Sequence, residues 1–325
     1  MTGTPCEDWI IMSTYAVGIV GAGRVGAVLG AALARAGHRI VAASGVSAAS
    51  KDRIVKLLPG VPALPADEVA AAAELLIIAV PDDTLAPLVA GLADTQALRP
   101  GQIVAHTSGA HGIGVLAPAV KAGAWPLAVH PVMTFTGTAA DLDRLPGVSF
   151  GVTAPPALKA VATRLVADLG GASSKAGRLA ADSAPLRPLA ANVEWIAEER
   201  RPLYHAALAH GANHLVTLVN EALDRLRDAG VRHPERVLGP LLHAALDNTL
   251  RLGDAALTGP VSRGDAGTVA GHLKTLEAVA PESVAAYRAL ARRTADRAIA
   301  SGRLRARDAE PLLDVLAGEG RQVRA

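Results

Sequence analysis

A glycine loop constrains the fold of this chain more than any other feature of its sequence. The run Gly21-Ala22-Gly23-Arg24-Val25-Gly26 directly follows the apolar segment 16–20 and opens an amphipathic stretch. In such a unit the first glycine permits a tight turn, the second lets the backbone approach a pyrophosphate, and the third lets the helix pack close to the strand. Free N–H groups at the helix start favour phosphate. We expect the loop to bind a dinucleotide; the alternative is that the glycines only close a turn.

The segments after this loop alternate like buried parallel strands joined by helices. The helix that follows the loop carries its apolar residues on one stripe and ends near Gly37, a residue suited to the left-handed conformation. Short apolar runs predict strands at 16–20, 39–43, 75–80, 103–106, 126–130 and 149–152. The fold class that this pattern predicts is α/β, with a Rossmann-type doubly wound parallel sheet.

Beyond residue 171 the strand signals fade and long helical segments follow. We expect helices over 186–199, 203–229, 234–252, 266–279, 281–300 and 309–317. A chain of 325 residues suits two domains. The predicted organisation is a leader without an assigned role over 1–14, a Rossmann domain over 15–180, and an all-helical substrate and dimerisation domain over 181–325.

The composition excludes several classes of partner. The formal net charge is only +2, and three Trp, three Tyr and two Phe leave little material for stacking on bases, so nucleic acid is not expected. No apolar stretch reaches the roughly 18 residues of a membrane span. Glu7 and Asp8 argue against a secretory signal, and the single Cys6 excludes an internal disulfide. We expect a cytoplasmic protein.

The end of the second predicted strand favours NADP(H) over NAD(H) as the ligand. NAD-binding folds place a carboxylate there to accept hydrogen bonds from the ribose 2′-hydroxyl, whereas this strand ends near Ser44. The nearest carboxylate, Asp52, lies further along between Lys51 and Arg53. Serine hydroxyls with Arg24 or Arg53 are able to hold a 2′-phosphate. The alternative for Lys51 and Arg53 is a solvated helix face.

The third strand ends at a loop that is expected to flank the cofactor. Val80 and Pro81 occupy the position where doubly wound sheets place ligand-contacting loops. The next two residues, Asp82 and Asp83, are interpreted more simply, since either is suited to be the N-cap of the following helix.

Two further strand ends carry polar groups for the nicotinamide and the substrate. Thr107 and Ser108 follow the strand that ends at His106, and are predicted to contact the cofactor, with Ser108 also facing substrate. His130, at the end of the next strand, is a further candidate for substrate binding. The alternative is that these hydroxyls and the imidazole only form hydrogen bonds with backbone groups of the loops.

The helical part contributes the candidate catalytic residues. His205 and Asn213 lie two helical turns apart on adjoining parts of one face. Histidine titrates near neutrality and is able to protonate a developing alkoxide or amine, whereas asparagine only orients. We expect His205 to be the general acid and Asn213 to orient the reacting group. The alternative for His205 is a packed histidine on an alanine-rich helix.

A loop between two later helices supplies a candidate anion clamp. It begins at Thr258, a candidate substrate contact, and contains Arg263, whose guanidinium is suited to hold a carboxylate in two bonds. Surface pairing with Asp265, itself a candidate helix N-cap, is the alternative for Arg263. No metal site is expected, because the histidines at 205, 210 and 214 have irregular spacing and no cysteine pair accompanies them.

Several separated motifs, in order, resemble a known family. They are the glycine loop, the segments His106-Thr107-Ser108-Gly109 and His130-Pro131, the run Arg201-Pro202-Leu203-Tyr204-His205 with Asn213, and the loop from Thr258 to Asp265. The chain is similar to Rossmann-like proteins whose C-terminal half is domain of unknown function 2520. That family resembles the 6-phosphogluconate dehydrogenase-like superfamily, whose members include pyrroline-5-carboxylate reductases, prephenate dehydrogenases and ketopantoate reductases.

The resemblance implies a nicotinamide site and pairing as a homodimer through the helices. The sequence departs from the hydroxyacid dehydrogenases and ketopantoate reductases in one respect: it has no lysine between Lys175 and Lys274 to serve as acid or base. The expected function is an NADP-dependent oxidoreductase acting on a small carbonyl or imine substrate that bears a carboxylate, with a ketopantoate-reductase-like reaction as the most concrete version. The alternative is a non-catalytic NADP(H) sensor.

Overall fold

The computed structural model of this chain describes residues 14–171 and 192–318. They divide into two compact units, of which the first ends at Ala209 and the second begins at His210. The predicted leader, apart from residue 14, and the predicted domain boundary at residue 180 lie outside the described residues. The described part contains no helix that is both long enough and apolar enough to cross a membrane.

A seven-stranded sheet forms the centre of the first unit and confirms the predicted fold class. Its order is β2-β1-β3-β4-β5-β6-β7, and every neighbouring pair is parallel except β5 and β6. The carboxyl ends of β1, β3, β4 and β5 therefore share one edge. The strands are β1 (Ala16–Val20), β2 (Arg39–Ser44), β3 (Leu75–Ile78), β4 (Ile103–His106), β5 (Trp125–Pro131), β6 (Ser149–Thr153) and β7 (Asn192–Trp195).

Helices cover both faces of this sheet. One apolar core joins the sheet to α1, α2 and α6, and a second joins the opposite face to α3, α4 and α5. Strands buried on both faces are continuous apolar runs, which is why their positions were readable from the sequence. The helices are α1 (Arg24–Arg35), α2 (Ala48–Leu57), α3 (Ala66–Ala72), α4 (Asp82–Asp94), α5 (Ala117–Lys121), α6 (Lys159–Gly171) and α7 (Arg201–Leu208).

The predicted helix over 186–199 is wrong in its described part. Residues Asn192–Trp195 form the edge strand β7, and Glu198–Arg200 form a short 3-10 turn. Leu189, Val193 and Ile196 are spaced four and three residues apart, which imitates a helical stripe. Pairing with β6 overrides that local pattern.

The second unit is all-helical in its described part. Its helices are α8 (His214–Asp228), α9 (Pro234–Leu252), α10 (Pro260–Arg263), α11 (Ala266–Val279), α12 (Pro281–Ala300) and α13 (Ala306–Ala317). The predicted bounds of α9, α11 and α12 are confirmed. The predicted single helix over 203–229 is instead α7 and α8 with a π-helical turn, Ala209–Asn213, between them. A small core joins α11, α12 and α13.

Candidate nucleotide and catalytic site

The three glycines of the loop meet three different structural requirements. Gly21 has a φ of 89°, and a Cβ added there would lie 2.6 Å from the carbonyl oxygen of Ala79. A Cβ on Gly26 would collide with the carbonyl oxygen of Gly21, so α1 starts this close to β1 only with glycine. A Cβ on Gly23 would meet nothing closer than 3.9 Å, which leaves open space beside its backbone. This arrangement fits a pyrophosphate at Gly23.

The first turn of α1 is free of competing negative charge. Gly23 is the N-cap, makes no side-chain cap bond, and is followed by no acidic residue in the first turn. Ser44 lies directly beside the loop, because its carbonyl oxygen accepts hydrogen bonds from the N–H groups of Gly21 at 3.1 Å and Ala22 at 2.8 Å. The loop and the end of β2 therefore form one continuous surface around the positive end of the helix dipole.

Two arginine side chains meet near this surface. A Cβ added to Gly137 would lie 2.6 Å from Arg53 Nε and 2.8 Å from Arg24 Cγ, so both side chains approach the same glycine. Within residues 14–171 and 192–318, neither arginine makes an ion pair. Asp52 pairs instead with Lys56 at 2.8 Å on the exposed face of α2. The first carboxylate after β2 in the sequence is thus paired with a cation.

The other polar residues after β2 have structural partners or face solvent. Ser47 caps α2, accepting a hydrogen bond from the Ser50 N–H at 3.1 Å, and the Ser50 hydroxyl donates to the Ser47 carbonyl oxygen at 2.7 Å. Lys51 is exposed on α2. Of the cations predicted here, Arg24 and Arg53 are therefore the pair that the fold brings together.

The residues that follow β3 lie beside the glycine loop. A Cβ on Gly21 would be 2.9 Å from Val80 Cγ1, which places this side chain against the first glycine of the loop. Pro81 is the N-cap of α4 and makes no side-chain cap bond, so the interpretation of Asp82 or Asp83 as the N-cap is wrong. Both aspartates lie in the first turn, where their charges favour the helix through its dipole.

The loop after β4 is braced by its own side chains. The Ser108 hydroxyl accepts a hydrogen bond from the His111 N–H at 3.1 Å, and the Ser108 N–H donates to His106 Nδ1 at 3.2 Å. His106 therefore carries its proton on Nε2, which donates to the Gly112 carbonyl oxygen at 2.8 Å. Burial lowers the pKa of His106 to about 4, so its ring is neutral. The Ser108 hydroxyl is thus bound to loop backbone, which is the alternative given for it in the sequence analysis. Thr107 is half-buried beside it.

The predicted site residues His130 and His205 lie next to each other and to Tyr204 at the carboxyl edge of the sheet. His130 Nδ1 lies 2.8 Å from the hydroxyl of Tyr204, and the two rings meet edge to face. The rings of His130 and His205 also meet edge to face, with centroids 6.1 Å apart. A Cβ on Gly109 would lie 2.7 Å from His205 Cδ2 and 3.1 Å from His130 Nε2, so only glycine fits there. We call these three side chains the histidine–tyrosine cluster.

The cluster is anchored by Arg201, which sequence reasoning left without a role. This side chain is fully buried at the start of α7. Its Nε donates to Thr153 Oγ1 at 2.8 Å, Nη1 donates to the Ser108 carbonyl oxygen at 3.2 Å, and Nη2 donates to the carbonyl oxygens of Ala128 and Gly151 at 3.1 and 2.9 Å. One guanidinium thus ties α7 to β5, to β6 and to the loop after β4.

Burial is the main influence on the protonation of His130 and Tyr204. Burial, with the charges of Arg201 and His205, lowers the pKa of His130 to about 4, so the ring is neutral at physiological pH. Burial raises the pKa of Tyr204, which keeps its hydroxyl protonated. The pair is therefore a neutral hydrogen-bonded couple beside His205.

Glu198 also holds the loop after β4 in place, and the sequence did not indicate this role. Its carboxylate accepts hydrogen bonds from the N–H groups of Ile113 at 2.7 Å and Gly114 at 2.9 Å, at the start of a 3-10 turn. It thereby joins the segment before α7 to the loop after β4. No local pattern in the sequence indicates this role of Glu198, because its two partners lie 85 and 84 residues away along the chain.

The remaining predicted site residues belong to the second unit. Asn213 is exposed at the end of the π-helical turn, and Thr258 is exposed at the rim of a cleft of about 450 Å³ within this unit. Arg263 Nη2 lies 3.0 Å from Asp265 Oδ2 at the surface, which is the alternative foreseen for this arginine. Asp265 is the N-cap of α11 without a side-chain cap bond. Among the described residues, no group of three or more His, Cys, Asp or Glu is arranged to hold a metal ion.

Together these features define a Rossmann-like α/β protein that continues into an all-helical unit. Family models match both parts: residues 1–131 match the Rossmann-like domain, and residues 179–294 match the domain of unknown function DUF2520. The chain therefore contains both domains in the predicted order, which confirms the resemblance. No curated protein matches the sequence.

Solved structures of low sequence identity share this fold. A protein of Bacteroides fragilis, provisionally assigned as an NADP oxidoreductase, superposes with a TM-score of 0.68 at 21% identity, over 87% of this chain and 99% of its own. An imine reductase of a Pseudomonas species gives 0.59 at 18%, over 89% and 99%. The pyrroline carboxylate reductase of Plasmodium falciparum, solved with NADP bound, gives 0.54 at 12%, over 88% and 99%.

Proposed function

We propose that the protein is an NADP-dependent oxidoreductase acting on a small carbonyl or imine compound. The observation that carries this proposal is the location of the glycine loop and the histidine–tyrosine cluster at the same edge of the parallel sheet. The open backbone at Gly23 and the uncapped start of α1 suit a diphosphate. The names of similar structures, which include NADP oxidoreductases and an imine reductase, agree with this assignment.

NADP(H) is the preferred cofactor because the fold gathers two cations near the end of β2, where the described part of the chain places no unpaired carboxylate beside them. Arg24 and Arg53 both approach Gly137 next to the glycine loop, and Asp52 is occupied by Lys56. The 2′-phosphate of NADP(H) accepts charge-assisted hydrogen bonds from guanidinium groups. NAD(H) lacks this phosphate and therefore lacks these bonds.

The side chains of this protein contribute a proton to the reaction and hold the reacting group of the substrate in position. NADPH held at the glycine loop would supply a hydride to the carbonyl or imine carbon of the substrate. The substrate oxygen or nitrogen takes a proton from His205, which gives an alcohol or an amine and the oxidised nucleotide. Tyr204, held by neutral His130, orients the same heteroatom through its hydroxyl. The roles predicted for Asn213, Thr258 and Arg263, including the hold on a substrate carboxylate, stay predictions from the sequence.

A cyclic imine that bears a carboxylate is the substrate class we favour. Two of the similar structures are named for imine substrates, and the sequence has no lysine over the interval where ketopantoate reductases place theirs. A ketopantoate-reductase-like reaction is the second version. We also propose that the protein is cytoplasmic and forms a homodimer through the helical unit, whose helices α8 and α9 expose several large apolar side chains.

The test combines binding with turnover. Calorimetric titration with NADPH, NADH and FAD is expected to show NADPH bound most tightly. NADPH oxidation is then measured with a panel of 2-keto acids and cyclic imines, in wild type and His205→Ala. Loss of the general acid is expected to lower kcat by about 10²-fold or more. Tight NADPH binding without turnover of any compound would favour the sensor alternative, and full turnover in His205→Ala would exclude the role of that histidine.

A further inference from the structure

The segment between β5 and β6 packs onto the start of α1. Its first part is fixed by Met133 and Phe135, which pack against the apolar core on the α1 face of the sheet. Residues Thr136, Gly137 and Thr138 then form a turn, which we call the threonine turn, and Gly137 is buried at its centre. The segment therefore crosses the carboxyl edge of the sheet and ends beside the glycine loop.

A single buried carboxylate holds the threonine turn in shape. Asp141 is fully buried, and its Oδ2 accepts hydrogen bonds from the N–H groups of Thr136 at 2.9 Å and Gly137 at 2.7 Å. Its Oδ1 accepts from the Thr136 hydroxyl at 2.9 Å. Since that proton is used, Thr136 Oγ1 accepts from the Thr138 hydroxyl, also at 2.9 Å. The charge of Asp141 is thus satisfied by three donors within the turn.

Gly137 is in direct contact with both arginines of the nucleotide surface. Its φ is 79°, and an added Cβ would lie 2.6 Å from Arg53 Nε, 2.8 Å from Arg24 Cγ and 3.1 Å from Arg24 Cα. The arginine side chains are able to move, but Arg24 Cα is backbone and is not. The turn therefore limits where both side chains lie. Neither has a carboxylate partner in the part of the chain that the structure describes, and two cations held together favour an anion.

We propose that the threonine turn is the specificity element for the 2′-phosphate of NADP(H), with Asp141 as its positioning residue. The turn holds Arg24 and Arg53 in place before the nucleotide arrives, so that less side-chain entropy is lost on binding. Asp141 acts through the turn and does not touch the nucleotide. This inference rests on the proposed function, because it assigns a determinant of cofactor choice to the same site.

The first experiment adds one methyl group to the turn. In Gly137→Ala, the Cβ displaces the turn from Arg24 and Arg53, and the Kd for NADPH is expected to rise about 10-fold or more, the range for loss of a hydrogen bond to a charged group. The Kd for NADH is expected to change less than about 2-fold, since NADH lacks the phosphate. Both are measured by calorimetry on the full chain.

The matched control is Gly101→Ala. Gly101 has nearly the same φ, 81°, but its Cβ would meet nothing within 4 Å, and it precedes β4 at the opposite edge of the sheet. Both variants place an alanine at nearly the same left-handed φ, so an effect of that backbone strain is common to both, and the difference between them reports the contacts at Gly137. Gly101→Ala is expected to bind NADPH and NADH as wild type does.

A double-mutant cycle tests whether the turn acts through the arginines. Arg53→Gln alone is expected to weaken NADPH binding selectively, and Gly137→Ala is expected to add much less in that background than in wild type. If Gly137→Ala does not fold, Thr136→Val replaces it, because it removes the hydroxyl bond to Asp141 from an exposed position.

The outcomes separate this inference from the proposed function. Wild type that binds no nicotinamide nucleotide, or prefers NADH, overturns the proposed cofactor and the inference with it. Wild type that prefers NADPH, together with a Gly137→Ala variant that keeps this preference, overturns the inference alone. Equal weakening of NADPH and NADH in Gly137→Ala also overturns it, because the turn would then act on the shared part of the nucleotide.

Discussion

At the scale of single residues, the catalytic proposal depends on a neutral histidine beside a protonated tyrosine. His130 is held neutral by burial and by the nearby guanidinium of Arg201, and its Nδ1 lies 2.8 Å from the Tyr204 hydroxyl. A neutral imidazole has one donor nitrogen and one acceptor nitrogen, so Nδ1 holds the Tyr204 hydroxyl through a single hydrogen bond. The orientation of Tyr204 is therefore expected to matter more for the rate than for binding.

Tyr204→Phe tests this arrangement by removing one hydroxyl. The kcat is expected to fall about 10-fold or more while the Kd for NADPH stays within about 2-fold of wild type, because the lost bond positions substrate rather than nucleotide. The matched control is Tyr287→Phe in the second unit, where the hydroxyl lies 2.8 Å from His272 Nδ1 in the same edge-to-face geometry. Equal losses in the two variants would contradict a specific role for Tyr204.

The depressed pKa of His130 predicts a pH dependence of stability. In the unfolded chain the ring titrates near 6.5, and in the folded protein near 4. Between these values the unfolded chain binds the proton and the folded chain does not, so the free energy of unfolding falls as pH drops from 6.5 towards 4. The loss amounts to about 3 kcal/mol. Denaturant unfolding at pH 7 and pH 5 is expected to show a smaller pH-dependent loss in His130→Gln than in wild type; equal losses would contradict this.

At the scale of elements, the strand–loop–helix unit at the start of the sheet determines where a nucleotide is able to bind. α1 begins against the carbonyl oxygen of Gly21, and the loop is tied to the end of β2 through Ser44. The unpaired amide groups of a first helical turn point back towards its N-cap, which is Gly23 in α1. A change that lifts α1 from β1 is therefore expected to affect stability and binding together.

Gly26→Ala makes that change. Its Cβ collides with backbone, so the free energy of unfolding is expected to fall by about 1–3 kcal/mol and NADPH binding is expected to be lost. Gly91→Ala is the control: Gly91 is an exposed glycine within α4 whose Cβ would meet nothing within 4 Å. That substitution is expected to leave binding unchanged and to stabilise the protein by about 0.5–1 kcal/mol. Denaturant unfolding and calorimetry measure both effects.

Elements with a strong local signal were predictable, and those that depend on distant partners were not. β1, β4 and the helices α9, α11 and α12 have the predicted bounds, because each carries its own apolar periodicity. β7 was missed because its strand character comes from pairing with β6. The role of Arg201 was missed for the same reason, since its acceptors lie 48 to 93 residues away in sequence. Asp141 was missed because neither its burial nor its contact with the threonine turn has a sequence signature.

At the scale of the whole molecule, two helices of the second unit lack a buried face. α8 contains no buried residue, and Pro234 is the one buried residue of α9, although both helices are amphipathic. Large apolar side chains are exposed on them; Leu241 is 65% exposed and Leu250 77%. Large exposed apolar side chains on two neighbouring helices favour association with another apolar surface. This surface supports the proposed homodimer, in which a second copy covers α8 and α9.

Leu241→Asp tests the homodimer. A buried carboxylate without a partner costs several kcal/mol, so the variant is expected to sediment as a monomer at concentrations where wild type is a dimer. Val55→Asp is the matched control, since Val55 is 73% exposed on α2 of the first unit. It is expected to leave the mass unchanged. A monomeric wild type, or a Leu241→Asp variant with the mass of wild type, would contradict this interface.

The anchor of the histidine–tyrosine cluster has a consequence for the conditions in which the protein works. Arg201 is held by a hydroxyl and backbone carbonyls, with no carboxylate among its hydrogen-bond partners in the described residues. Dissolved ions screen attraction between exposed opposite charges, but they do not reach buried bonds of this kind. We therefore expect the histidine–tyrosine cluster to keep its geometry at high salt concentration. The affinity of the exposed Arg24 for the nucleotide is expected to fall as ionic strength rises.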